Sequence, residues 1–323
     1  MSNLKLVDSL TGVLIQEPIR KGFGRGLLNA GKLHENVVAA CADLTESTQM
    51  HLFAEEFPER FIEVGVAEQN LVTFGSGLAA MGKIPYVSSY AAFNPGRNWE
   101  QIRTTICLNN QPVKIIGSHA GVSVGPDGAT HQMLEDITLM RVLPNMVVIA
   151  PCDSLEAEKA TLAMSLDKRP NYMRLAREAT PIITSEDTPF EIGKSYVYKT
   201  GTDISIIATG TMTYHALLAA QKLLAKSINA EVVHVPTIKP LDQETILKSV
   251  NKTKRVVTVE EGQIVGGLGG AIAELLGELS PMPVKRLGMR DRFGESGDPK
   301  ELIEYFGLDA EGIIKAVNAM LRP

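Results

Sequence analysis

The sequence predicts an α/β protein built of two doubly wound domains, a larger one followed by a smaller one, and three observations carry that expectation. Short apolar runs alternate with longer amphipathic segments along all 323 residues, the pattern of parallel sheets covered by helices on both faces. The apolar runs are four to six residues long and end in Gly, Pro or polar turns, which makes them strands rather than buried helices. The alternation then lapses once, between 178 and 193, where Pro181, Thr184, Ser185, Glu186, Asp187, Thr188 and Pro189 read as a crossing between domains. The two domains are accordingly expected at 1–190 and 191–323.

In the first domain the runs at 37–42, 84–88, 113–117, 146–150 and 172–175 are the expected strands. Helices fit between them at 18–30, 67–81, 98–108, 132–141 and 154–166, the last of them capped by Asp153. The second series places strands at 204–208, 230–235 and 255–260, and helices at 212–225, 242–250, 265–279 and 309–321. No short tandem repeat is visible.

Composition excludes several classes of function. With 32 Lys plus Arg against 37 Asp plus Glu, a net charge of −5, there is no basic excess to displace counterions from a nucleic acid. The three cysteines, Cys41, Cys107 and Cys152, form no CxxC pair, so neither a disulfide framework nor a zinc motif is expected, and the compartment should be reducing. Residues 1–10, with Lys5 and Asp8, lack the apolar core of a signal peptide. No run approaches the roughly 18 apolar residues of a membrane span. A cytoplasmic protein is the expectation.

Two glycine clusters invite a nucleotide-binding reading, Gly22-Phe23-Gly24-Arg25-Gly26 and Gly266-Gly267-Leu268-Gly269-Gly270. The first follows no strand, and the second lacks GxGxxG spacing, a Walker lysine and a downstream acidic partner. Close helix packing or a domain contact is the expected role of both.

Chemistry is expected between Asp43 and Arg177, where polar residues stand at strand-to-helix junctions, the edge at which open α/β sheets bind ligands. The first cluster is 43-DLTES-47, a plain capped turn when taken alone. The second is 64-VGVAEQN-70, with Glu68 in a first helical turn, where a surface carboxylate favoured by the helix dipole is the plain reading. The third is a Gly-rich loop carrying His119, Asp127 and His131, which could gather over a ligand or, by residue type, a metal.

Taken together, DLTES, VGVAEQN, SSYAAF, SHAGVSVGPDGATHQ, LPNMVVIAPCDS and LAR resemble the pyrimidine-binding domain of the transketolase family. IATGTMTYHALLAAQ and VEEGQIVGGLGG resemble its carboxy-terminal domain, so the resemblance covers nearly the whole chain. VGVAEQN and GPDGATHQ are its most specific parts. They also fit 1-deoxyxylulose-5-phosphate synthase and, less well, the β subunits of 2-oxo acid dehydrogenases, which stand as the alternatives. A catalytically silent interaction subunit is a third reading, opposed by Glu68, His119, Asp127 and His131 occurring in one chain. The family's GDG motif with its following Asn, which holds the cofactor diphosphate and a divalent ion, has no match here.

The resemblance therefore implies the carboxy-terminal subunit of a split transketolase, completed by an amino-terminal partner chain. It implies thiamine diphosphate shared with that partner, Mg2+ or Ca2+ held by the partner and no metal ligand in this chain. It also implies sugar phosphate substrates, as in the pentose phosphate pathway. A homodimer of this chain within a heterotetramer follows from the prevalence of twofold assemblies. By resemblance, the Glu68 carboxyl group bonds N1′ of the aminopyrimidine, and Tyr90 and Phe93 pack its ring. His119 and His131 flank the donor carbonyl and hydroxyls, Asp127 reads a hydroxyl, and Arg20, Ser47, His119 and Arg177 grip the phosphate, with Arg174 a nearby alternative. The chain departs from the family pattern in reading SHAG for THDS, and in a one-residue insertion within Asn94-Pro95-Gly96-Arg97-Asn98-Trp99, where a third aromatic is unmatched.

Overall fold

The computed structural model describes residues 6–7, 10 and 14–322. Lys5 and Asp8, used above to argue against a leader, lie outside the described residues. In chain order the strands are β1 (Gln16–Pro18), β2 (Val37–Cys41), β3 (Phe61–Glu63), β4 (Ile84–Tyr90), β5 (Lys114–Ser118), β6 (Val147–Ile149), β7 (Asn171–Arg174) and β8 (Ala179–Pro181). They continue as β9 (Tyr196–Lys199), β10 (Ile204–Ala208), β11 (Ala230–His234), β12 (Thr237–Lys239), β13 (Val256–Gln263) and β14 (Val284–Met289).

Among the described residues these form three sheets. The largest has the order β12-β6-β7-β5-β4-β2-β3 and the second the order β14-β13-β10-β11-β9, each parallel but for one antiparallel edge strand, β12 and β9. A ribbon of β1 and β8 makes the third. The fold is thus the expected pair of parallel α/β layers. The central strands β2, β5, β10 and β11 are buried along their whole length, as continuous apolar runs between two helical layers must be. Each fully buried Val, Ile or Leu contributes roughly 1.5–3 kcal/mol.

The helices are α1 (Ile19–Leu33), α2 (His51–Glu56), α3 (Glu68–Ala80), α4 (Trp99–Gln101), α5 (Asp136–Arg141), α6 (Ser154–Leu166), α7 (Met212–Leu224), α8 (Gln243–Thr253), α9 (Leu268–Leu279), α10 (Pro299–Tyr305) and α11 (Ala310–Leu321). Asp153 caps α6 by accepting the Glu156 N–H at 2.9 Å, as the spacing predicts. Two expectations need correction. The helix expected at 98–108 is one turn of α4 followed by a π-helical stretch, Ile102–Cys107. The helix expected from 132 begins only at Asp136, because Gln132 is buried in a loop and donates its side-chain amide to backbone carbonyls.

Both glycine clusters are packing devices. A Cβ on Gly22 would lie 1.8 Å from the Ser154 carbonyl oxygen and one on Gly26 2.7 Å from the Thr161 side chain, so these glycines let α1 lie directly on α6. At the second cluster, the carboxylate of the chain's own Glu260 accepts the Leu268 and Gly269 N–H groups at 2.8 Å each, filling the position an anionic ligand would need. Burial pushes the Glu260 carboxyl up to about 7, against the pull of those two N–H donors.

Candidate active site

The edge where β2, β4, β5 and β7 end collects the candidate residues, and the strand register explains how. Tyr90, the last residue of β4, is paired with Ser118, the last of β5. His119 follows directly, and its ring lies 4.0 Å from that of Tyr90, centroid to centroid. The β1–β8 ribbon pairs Pro18 with Ala179 and so draws Arg20, in the first turn of α1, to Arg177. The Arg20 guanidinium donates to the Arg177 carbonyl oxygen. Sequence periodicity gave no sign of this ribbon, whose strands are three residues each.

His119 is 4% exposed. Burial first, then the facing Arg20 and Arg177 cations and His131, push its imidazole down to about 3, so the ring is neutral at working pH. Ser118 Oγ is hydrogen-bonded to its Nδ1 at 2.9 Å, which orients the ring and leaves Nε2 to meet a ligand. The half-buried His131 is arranged alike, with Thr130 Oγ1 at 2.9 Å from its Nδ1. Its ring stands edge-on to Phe93 at 5.5 Å and to Tyr90 at 6.3 Å.

Glu68 opens α3 and is 3% exposed. Its Oε1 lies 3.4 Å from Ser89 Oγ, and among the described residues its Oε2 has no hydrogen-bond partner although it is shut off from solvent. A buried carboxylate oxygen of this kind is costly unless a ligand donates to it. Among the described residues the one cation paired with it is Arg97, 3.8 Å away and 56% exposed, whose guanidinium also lies 5.2 Å over the Phe93 ring. Sequence reasoning passed over Arg97 because it falls in the segment 94–99, where the resemblance to the family pattern breaks. That segment is anchored by two fully buried asparagines: Asn98 Nδ2 donates to the Glu68 carbonyl at 2.9 Å, and Asn94 Nδ2 to that of Ile116 at 3.0 Å.

Arg177 donates to the Val124 carbonyl at 2.8 Å and lies 4.0 Å from Asp127, at the exposed tip of the Gly-rich loop. Contacts therefore run from Glu68 through Arg97, Phe93, His131 and Tyr90 to His119, which feels the charges of a second linked group, Arg20, Arg177 and Asp127. Ser47 lies in the turn leaving β2 at the same edge, but among the described residues no hydrogen bond, ion pair or ring contact ties it to the others. Arg174, the alternative phosphate ligand, is fully committed: it pairs with Asp136 at 3.3 Å and donates to the Glu261 carbonyl.

One further group has metal-ligand chemistry. The ligand atoms of Cys152, Glu156 and His234 lie within 4.8 Å of one another, all buried. Glu156 Oε2 already accepts the Cys152 N–H at 2.7 Å and is hydrogen-bonded to His234 Nε2 at 2.8 Å. Burial pushes the Cys152 thiol well up, away from the thiolate a metal requires. The group reads as a hydrogen-bonded tie between the two sheets.

Comparison with known proteins matches two family models, the transketolase pyrimidine-binding domain over residues 17–182 and the transketolase C-terminal domain over residues 193–313. A "Putative transketolase C-terminal section" of Methanocaldococcus jannaschii is 46% identical over 306 residues, 94% of this chain and 96% of that protein. A 6-deoxy-6-sulfo-D-fructose transketolase subunit of a Clostridium species (strain MSTE9) is 41% identical over 292 residues, 90% of this chain and 91% of the relative. Among solved structures, a split-gene transketolase described as an inactive β4 tetramer superposes with a TM-score of 0.89 at 43% identity, covering 94% of this chain and 98% of that one. The chain belongs to the transketolase family and holds that family's pyrimidine-binding and C-terminal domains in one polypeptide.

Proposed function

We propose that this chain is the carboxy-terminal subunit of a two-chain transketolase, which moves a two-carbon ketol unit from a ketose phosphate to an aldose phosphate. The family uses thiamine diphosphate, and the single observation that carries the reading is the buried Oε2 of Glu68, which among the described residues accepts no hydrogen bond, near the half-open ring of Phe93. A carboxylate with a free acceptor atom next to an aromatic face suits a flat heterocycle that carries a hydrogen-bonding nitrogen. When bound, the cofactor supplies the carbon nucleophile and electron sink for cleaving a carbon–carbon bond.

The chain's own residues do the remaining work. Glu68 holds the aminopyrimidine by its ring nitrogen, and Tyr90 and Phe93 confine its plane. His119, held neutral by its burial, and His131 present Nε2 to the substrate carbonyl and hydroxyls, where they donate or accept protons as the bond breaks. Asp127 reads a hydroxyl. Arg20 and Arg177, with Ser47 and His119, hold the terminal phosphate, a task suited to planar guanidinium donors.

The diphosphate and its Mg2+ or Ca2+ belong to an amino-terminal partner subunit in this reading, since this chain lacks the GDG motif. A twofold pair of these chains with two partners makes a heterotetramer. Three buried cysteines without disulfides support a reducing, cytoplasmic setting, and among the described residues no helix is long and apolar enough to cross a membrane. The test is to mix the chain with an amino-terminal transketolase subunit, thiamine diphosphate, Mg2+, a ketose phosphate and an aldose phosphate. Two-carbon transfer that needs both chains is expected. Equal transfer by this chain alone would overturn the split-enzyme reading.

A further inference from the structure

We propose that Glu261, reaching in from the carboxy-terminal half, is a positioning residue for the substrate loop 119–132. The consequence for catalysis rests on the functional reading above. Glu261 lies near the end of β13 and is 6% exposed. Its Oε1 accepts the Ser123 backbone N–H at 2.7 Å and its Oε2 accepts the Thr211 hydroxyl at 3.0 Å. Its carbonyl oxygen takes the Arg174 guanidinium, which pairs with Asp136 at 3.3 Å, and Asp136 accepts the Tyr172 hydroxyl at 2.8 Å. The backbone of Glu261 is thus fixed by a buried, charged network, and its carboxylate, a charged acceptor, makes the Ser123 bond a strong one. Gly121 lets it come this close: its φ is +92°, and a Cβ there would lie 2.3 Å from Glu261 Oε1.

A second strap from the same half holds the other end of the loop. Gln132 Nε2 donates to the Glu295 carbonyl at 2.9 Å as well as to that of Val122 at 3.0 Å, and a Cβ on Gly128 would lie 2.4 Å from Ser296 Oγ. Asp127 and His131 lie between Ser123 and Gln132, and His119 stands just before the first strap. His119 itself sits at φ +57°, a conformation that a non-glycine residue keeps only where its surroundings enforce it. Neither strap touches Glu68 or Phe93. The carboxy-terminal half therefore acts on the substrate side of the site and leaves the aminopyrimidine side alone.

The test compares Glu261→Ala and Glu261→Gln in the full chain. Hydrogen exchange is read first, because it needs no activity. Glu261→Ala accelerates exchange over 119–128 about tenfold or more, while α3 keeps its wild-type protection. Glu261→Gln, which keeps the size and one acceptor, gives a smaller acceleration in the same segment and stays readable if the alanine variant does not fold. In the enzyme reconstituted with its partner, Glu261→Ala raises the donor KM about tenfold and leaves thiamine diphosphate affinity within about twofold, a split that general loosening would not produce. Wild-type exchange in both variants overturns the strap. Accelerated exchange with an unchanged donor KM overturns its role in positioning. Absence of transketolase activity in the wild-type mixture would count against the functional reading, and the exchange result would still decide the strap.

Discussion

Replacing Arg177 by alanine tests the proposed phosphate contact separately from folding. One guanidinium nitrogen, Nη1, already donates to the Val124 carbonyl at 2.8 Å and lies 4.0 Å from Asp127, while Nε lies 3.7 Å from Glu178. Among the described residues Nη2 has no partner, so a phosphate oxygen would meet one free charged donor instead of a complete fork. One hydrogen bond to a charged group contributes about 1.5–3 kcal/mol, so kcat/KM for a sugar phosphate should fall about 10- to 150-fold. A matched ketose without the phosphate should lose little. The structure supplies a second readout through His119, held at about 3 by burial first and by Arg20 and Arg177 next. Removing one of those cations must raise the imidazole pKa, which an NMR titration of the ring follows directly. Equal kinetic losses on both donors, together with an unmoved His119, would refute the assignment and make Arg177 a purely structural tie to the loop.

Two other perturbations follow from the same geometry. Glu68→Gln preserves the shape of the side chain but removes its carboxylate, so kcat should drop about 100-fold or more with little change in thermal stability. Proton exchange at C2 of the bound cofactor is the assay, and an unchanged rate would remove Glu68 from that role. For His119 the folded pKa of about 3 lies below the ordinary imidazole value of 6.5. The unfolded chain therefore takes the proton first as pH falls, and stability is lost between 6.5 and 3 at up to about 1.4 kcal/mol per pH unit. His119→Asn, a residue that tolerates positive φ, should lose less stability than wild type between pH 7 and pH 5 in urea titrations. Parallel losses would show that the ring is not the titrating group.

The central strands were legible because they are buried on both faces and read as unbroken apolar runs, 37-VVAAC-41 and 204-ISIIA-208 among them. Edge strands were not. β14 carries Lys285 and Arg286 on partly exposed positions, and the three-residue β12 joins a sheet whose other members end more than sixty residues earlier in the chain. No local periodicity encodes such a pairing. Glu68, the two histidines and Arg177 could be proposed from sequence because they stand in contiguous motifs that carry the family resemblance. Arg97 could not, since its contact with Glu68 depends on how the turn at 94–99 folds around Asn94 and Asn98. Arg174 misled for the opposite reason: its place next to the site is correct, and only the buried Asp136 shows that its charge is already spoken for. Glu261 and Gln132 act across the two halves of the chain, a relation visible only once both sheets are assembled.

The measurement that bears most directly on the account is calorimetric binding of thiamine diphosphate, in Mg2+, to this chain, to an amino-terminal partner subunit, and to the two together. A site divided between chains predicts weak binding to each alone and an affinity gain of about 100-fold or more in the mixture, because only there do Glu68 and the diphosphate ligands act on one molecule. Full affinity for this chain by itself, unchanged by the partner, would contradict it.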